Sequence, residues 1–95
     1  MPDILILLGG AIRFRREALG FSQERLAELC GFYRTYISLL ERGKRNPSLL
    51  NLSRLSDGLG TSVSELTEVL NGSKANRRSA RASDPSRNAG KKKGA

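Results

Sequence analysis

Apolar residues in the stretch from Gln23 to Arg42 recur at the three- and four-residue spacing of an amphipathic helix, with one interruption at Gly31. The apolar positions are Leu26, Ala27, Leu29, Cys30, Phe32, Ile37 and Leu40. Glycine readily adopts the positive φ of a sharp turn, and the small side chains of Ala27 and Cys30 allow two helices to cross closely. The stretch therefore predicts two short helices joined at a glycine, as in a helix-turn-helix.

The segment before this stretch predicts one longer helix. Asp3 can cap its beginning and Gly20 can end it, while Ser22 can cap the helix that follows. Gly9 and Gly10 are unfavourable there, because each costs about 1 kcal/mol relative to alanine inside a helix. The side chains expected to share its buried face are Leu5, Leu8, Ile12 and Leu19.

Two further helices are predicted after a polar connector at residues 44–47. Ser48 opens the fourth helix, and Ser62 with Glu65 forms a capping box for the fifth. Their apolar residues are Leu49, Leu52, Leu55 and Leu59 in the fourth helix, and Val63, Leu66, Val69 and Leu70 in the fifth. We therefore expect one all-α domain of five helices over residues 1–72.

Composition separates this domain from the end of the chain. The chain has 95 residues and a net charge of +8, of which residues 73–95 contribute +7 from eight basic residues and Asp84. These residues include no large apolar side chain, so we expect a disordered basic tail. One cysteine and no histidine argue against disulfides, zinc and nucleophile–base catalysis, so no cofactor and no metal are expected. The apolar run at 4–8 is too short to span a membrane, which predicts a cytoplasmic protein.

Specific residues add a family resemblance to this pattern. They are Ser22-Gln23, Leu26-Ala27, Gly31, Arg34-Thr35-Tyr36-Ile37-Ser38 and Glu41-Arg42-Gly43. The chain resembles the DNA-binding domain of the phage-repressor and xenobiotic-response-element family, and it is similar to the controller proteins of restriction–modification systems. This resemblance implies a transcription regulator that binds a two-fold or near two-fold operator as a dimer. An antitoxin or a phage-type repressor would carry nearly the same pattern.

The outer face of the third helix holds candidate DNA-binding residues. Tyr33, Arg34, Thr35, Ser38, Leu39 and Arg42 would point away from the core. By resemblance Arg34 and Thr35 match the principal base-reading positions, and Ser38 and Leu39 lie one turn further along. Arg34 can donate two hydrogen bonds to guanine, or it can contact phosphate alone.

Two alternative roles are open for Leu39 and two for Tyr36. Leu39 can contact a thymine methyl group, or it can pack against the stem of Arg42 or against Tyr36. By resemblance Tyr36 contacts the backbone near deformable base steps and reads DNA shape. Its alternative is a half-buried tyrosine that braces the helix.

Backbone contacts are expected on both sides of the third helix. Gln23, at the start of the second helix, can bind a phosphate together with free backbone N–H groups. Lys44, Arg45 and Asn46 can contact flanking phosphates, although a run of charge is often only a solvated loop. If these surfaces bound a protein instead, the domain would be a protein-interaction module.

Two structural roles complete the predictions. By resemblance Arg16 and Glu41 form a buried salt bridge between the first helix and the end of the third. The apolar residues of the fifth helix exceed what a small core needs, so we expect a homodimer interface there, formed by Val63, Leu66, Val69 and Leu70.

Overall fold

Helices account for the regular secondary structure of residues 3–72. A computed structural model describes residues 3–72, and within them the helices are α1 (Ile4–Ala18), α2 (Gln23–Cys30), α3 (Arg34–Glu41), α4 (Leu49–Leu59) and α5 (Val63–Leu66), followed by a 3-10 helix (Glu68–Gly72). This confirms the all-α, five-helix prediction. The predicted tail at residues 73–95 lies outside the described residues.

Helix ends follow the predicted capping residues. The side chains of Asp3, Ser22, Ser48 and Ser62 each accept a hydrogen bond from a backbone N–H in the first turn of their helix. Glu65 completes the capping box by accepting from the backbone N–H of Ser62 at 3.1 Å. The carboxylate of Glu65 also accepts from the Thr61 hydroxyl, and these bonds lower the pKa of Glu65. Tyr33 precedes α3 without a side-chain cap.

The core is a single cluster of apolar side chains contributed by every α-helix. Its buried members are Leu8, Ile12, Leu26, Ala27, Cys30, Ile37, Leu40, Leu55, Leu59 and Leu66. The predicted spacing therefore selected the buried faces of α2 and α3 correctly except at Leu29, which is 42% exposed. Cys30 is a small core residue, as predicted, and burial raises the pKa of its thiol.

The structure also differs from the prediction at Leu19, at Leu49 and in the length of the fifth helix. Leu19 is 49% exposed because it lies just after the end of α1, where the chain has left the helical face. Leu49 is 73% exposed because it is the first residue of α4 and its side chain leans toward the open end of the helix. The fifth helix is shorter than expected, since α5 ends at Leu66 and a 3-10 helix carries Val69 and Leu70.

Leu66 also requires a correction. Its side chain has no exposed surface because it packs into the core between α1 and α4. It therefore supplies no surface for a subunit interface, unlike Val63, Val69 and Leu70, which are half-buried or exposed.

Gly9 has a role that the sequence pattern did not indicate. It is buried against the end of α3, where a Cβ atom would clash with the Leu40 carbonyl oxygen and lie 2.6 Å from that of Glu41. At Gly10 a Cβ atom would meet nothing within 4 Å. Gly9 therefore allows α1 and α3 to approach closely, and Gly10 has no such function.

Residues 3–72 contain neither a membrane-spanning helix nor a metal-binding group of side chains. No helix there is long and apolar enough to cross a membrane. No group of three histidine, cysteine, aspartate or glutamate side chains in that range could hold a metal ion.

Candidate nucleic-acid interface

The turn between α2 and α3 has the geometry that a helix-turn-helix requires. Gly31 ends α2 with φ 77°, in the left-handed region that glycine favours. The backbone N–H of Phe32 then donates to the Ala27 carbonyl at 2.9 Å. Ile37 and Leu40 anchor α3 in the core, so the opposite face of α3 remains in solvent.

The candidate DNA-binding residues divide by exposure. The exposed residues are Tyr33, Arg34, Thr35, Arg42, Lys44, Arg45 and Asn46, whereas Gln23, Tyr36, Ser38 and Leu39 are half-buried. Residues four apart lie above one another on a helix, so Arg34, Ser38 and Arg42 form one row, which is exposed at both ends and half-buried at Ser38. Thr35 and Leu39 form a second row beside it.

A shallow cleft borders the second row. Thr35, Tyr36 and Leu39 line one side of it, and Arg45 and Asn51 line another. Leu39 is therefore an apolar side chain that opens onto a surface shared with polar and basic groups. A methyl group on a base edge is a chemically suitable contact for such a side chain.

Tyr36 is braced by its neighbours. Its hydroxyl oxygen accepts a hydrogen bond from Asn51 Nδ2 at 2.9 Å, and its ring meets that of Phe32 edge-on with centroids 4.8 Å apart. Arg54 lies over the ring of Phe32, with its guanidinium carbon 5.9 Å from the ring centroid. The bracing role considered for Tyr36 is thus present, and the phenol keeps its own hydrogen as a donor.

Gln23 lies at the start of α2, as expected, but its side chain is held by two protein groups. Its Nε2 donates to Glu41 Oε1 at 3.1 Å. Its Oε1 accepts from Arg34 Nη1 at 3.4 Å. Sequence reasoning missed both contacts, because residues 11 and 18 positions apart show no periodic relation to Gln23.

Arg16 and Glu41 form a bidentate ion pair beneath this surface. Arg16 Nε donates to Glu41 Oε2 at 2.6 Å and Nη2 donates to Oε1 at 3.0 Å. Arg16 Nη1 also donates to the Phe21 carbonyl at 2.8 Å. The two side chains are 11% and 4% exposed, and the hydrogen bonds with Glu41 raise the pKa of Arg16.

Because Glu41 is paired with Arg16, the positive charge of the surface around α3 is not offset. Between Leu29 and Ser56 the sequence has one acidic residue, Glu41, and Arg16 already neutralises it. The same stretch exposes Arg34, Arg42, Lys44, Arg45 and Arg54. No carboxylate in that stretch is free to offset these five cations, so the face is suited to a polyanion.

Comparisons with known proteins agree with this geometry. The family model described as Helix-turn-helix matches residues 12–66. The control protein C.MunI from a Mycoplasma species is 46% identical over 67 residues, covering 70% of this chain and 90% of that protein.

Two solved structures have the same fold. The restriction–modification controller protein C.AhdI from Aeromonas hydrophila has a TM-score of 0.64 and 44% identity, covering 65% of this chain and 94% of its own. The controller protein C.Esp1396I, solved as a tetramer with its natural 35-base-pair operator, has a TM-score of 0.66 and 33% identity, covering 74% of this chain and 92% of its own. On these matches and this geometry, the chain belongs to the helix-turn-helix family.

Proposed function

We propose that this chain is a sequence-specific DNA-binding transcription regulator of the restriction–modification controller type. The observation that carries the proposal is the exposed face of α3, which displays donors and cations, while Glu41, the one acidic residue between Leu29 and Ser56, is neutralised by Arg16. The names of the relatives support it, since C.MunI is a control protein and C.Esp1396I was solved on its operator. The proposed role is regulatory rather than enzymatic, and a DNA target would place the chain in the cytoplasm.

In this proposal α3 enters the major groove, where each base pair presents a distinct set of donors and acceptors. Arg34 donates to O6 and N7 of a guanine from the exposed start of the helix. Thr35 and Ser38 add hydrogen bonds, and Leu39 contacts a thymine methyl group from the edge of the cleft.

Backbone contacts would fix the position of α3 in the groove. Lys44, Arg45 and Asn46 are exposed directly after α3, where they can contact phosphates on one side. Tyr33 and Arg42 flank the helix, and the Tyr36 hydroxyl retains a hydrogen to donate. Such contacts supply affinity and orientation without reading bases.

Assembly as a homodimer is the second part of the proposal. One helix-turn-helix contacts too few base pairs to find a single site among a genome of competitors, and a dimer doubles the contacts. Val63, Val69 and Leu70 offer apolar surface beyond the core, and Val69 borders a groove with exposed Ile6 and Phe14. An interface there would bury apolar area that a monomer leaves in water.

We expect Val69→Lys to weaken dimerisation while leaving the helical content unchanged. Glu65 and Glu68 line the same groove and can accommodate the ammonium group in the monomer, but a dimer would have to bury it. Sedimentation equilibrium over a range of concentrations measures the effect. Leu50→Lys, on the separate exposed surface at the start of α4, is the matched comparison. A dimer lost only with Leu50→Lys would move the interface to α4.

Selection of duplexes from a randomised DNA pool tests the proposed function. We expect the purified chain to enrich a sequence with two-fold or near two-fold symmetry. Its affinity, followed by fluorescence anisotropy, should fall steeply with salt because phosphate contacts release counterions. If no sequence is enriched over the starting pool at low salt, the DNA-binding proposal is wrong, and the exposed face of α3 would instead suit an acidic protein partner.

A further inference from the structure

Four polar side chains form a continuous chain of contacts from the core to the exposed start of α3. Arg16 donates to both oxygens of Glu41, Gln23 donates to Glu41, and Arg34 donates to Gln23. The four residues come from three helices. Arg34, the outermost of the four, is the proposed guanine reader, and its orientation depends on the three residues behind it.

The buried carboxylate determines which way the Gln23 amide faces. An ionised carboxylate only accepts hydrogen bonds, so the end of the amide that contacts Glu41 must be the NH2 group. Glu41 Oε1 receives this bond at 3.1 Å and a bond from Arg16 Nη2 at 3.0 Å. Because Glu41 is itself held by Arg16 and is 4% exposed, it cannot turn away from Gln23. The carbonyl oxygen of Gln23 must therefore face α3.

That carbonyl oxygen matches the chemistry of Arg34. A guanidinium group has only donors, and the Gln23 oxygen accepts from Nη1 at 3.4 Å. This contact leaves Nε and Nη2 available, and together they form an edge that can bind two acceptors of one guanine. If the Gln23 amide were turned over, its NH2 group would face the guanidinium of Arg34, and neither group could accept a hydrogen bond from the other.

We propose that Glu41 is a positioning residue for base readout, because its carboxylate fixes the Gln23 amide so that the carbonyl oxygen orients Arg34. This inference rests on the proposed function, in which Arg34 reads a guanine. It goes beyond the role of Glu41 as the counterion of Arg16, because a counterion alone would stabilise the fold without affecting which base is preferred.

Discrimination between bases is the measurement that separates a positioning role of Glu41 from a role only as the counterion of Arg16. The probes are the duplex that the unaltered chain selects and versions of it with one base pair changed in each half-site. A ratio of two affinities measured on one protein sample does not depend on how much of the sample is folded. A variant that only loses stability therefore keeps its ratio, and Arg34→Ala identifies the base pair at which the ratio is to be measured.

Two variants change the Gln23 contact in different ways. Glu41→Gln replaces one carboxylate oxygen with an NH2 group, so Arg16 and Gln23 compete for the single oxygen that remains, and the Gln23 amide is free to turn over and present donors to Arg34. Gln23→Met keeps the length of the side chain and the Arg16–Glu41 pair, and it removes the oxygen that holds Arg34. We expect each to lower discrimination at the Arg34 base pair about threefold to tenfold, the effect of one accessible hydrogen bond. Discrimination at other positions should remain.

The double variant Gln23→Met with Glu41→Gln tests whether Glu41 acts through Gln23. We expect it to discriminate no worse than Gln23→Met alone. If Glu41→Gln and Gln23→Met both keep full discrimination at a base pair that Arg34→Ala affects, the positioning role is overturned while the proposed function stands. If Arg34→Ala changes discrimination at no base pair, both the reading by Arg34 and the positioning role are overturned.

Discussion

Replacing Glu41 by alanine is expected to lower the free energy of unfolding by about 3–5 kcal/mol. The substitution leaves the guanidinium of Arg16 inside the protein with only the Phe21 carbonyl and the more distant Glu17 carboxylate as partners, the latter 3.9 Å away. A buried charge without its counterion costs far more than the pair gained when it formed, because desolvation is no longer offset. Urea denaturation followed by circular dichroism measures the change.

Glu28→Ala is the matched control for this experiment. Arg25 and Glu28 form a salt bridge at 3.1 Å with side chains 55% and 72% exposed. Solvent screens such a pair, so its loss should cost less than about 1 kcal/mol. Equal small effects at Glu41 and Glu28 would show that the Arg16–Glu41 pair is exposed to water in solution.

Gly9→Ala should destabilise the protein by about 1–3 kcal/mol, although alanine is the better helix former. The new methyl group would overlap the backbone carbonyls at the end of α3, and backbone atoms cannot move aside as a flexible side chain can. Helices α1 and α3 would have to separate, which would weaken the packing of Ile12 and Leu40 between them. Thermal and urea unfolding both measure this change.

The adjacent Gly10→Ala should have the opposite sign. Its Cβ atom meets nothing within 4 Å, so only the helix propensity changes, and stability should rise by up to about 1 kcal/mol. A loss of stability at both positions would indicate that α1 itself is distorted by alanine. A gain at both would contradict the close packing of α1 against α3 at Gly9.

Local features of this fold were predictable from the sequence. Caps at Asp3, Ser22, Ser48 and Ser62 depend on residues within one helical turn, and the buried positions of α2 and α3 follow from periodicity alone. Periodicity does not show where a helix ends relative to the core, so it predicts burial for Leu19 and Leu49 although both are exposed. It also cannot show the close approach of two helices, so Gly9 appeared only as a weak position.

The candidate interface likewise combines local features that the sequence predicts with tertiary contacts that it does not. The exposure of Arg34, Thr35 and Arg42 follows from the helical face opposite Ile37 and Leu40. The bonds of Gln23 to Glu41 and Arg34 required the crossing of α2 over α3, because no local pattern connects them. The bracing of Tyr36 by Asn51 depends likewise on how α4 is placed beside α3.

The proposal that α3 reads bases is tested most directly by comparing Arg34→Ala with the double variant Lys44→Ala, Arg45→Ala. Both variants lose positive charge, so affinity for one duplex cannot distinguish them. Affinities should therefore be measured on the selected duplex and on its single-base variants at several salt concentrations. The loop variant should weaken binding to all duplexes by similar factors and reduce the salt slope by about one for each lost phosphate contact.

Arg34→Ala should behave differently. We expect a loss of about 1–3 kcal/mol on the selected duplex and little loss on the duplex that lacks the contacted guanine, so that preference disappears at one position in each half-site. If Arg34→Ala instead weakens every duplex by the same factor and leaves each preference intact, Arg34 contacts only the backbone, and the claim that it reads a base is contradicted.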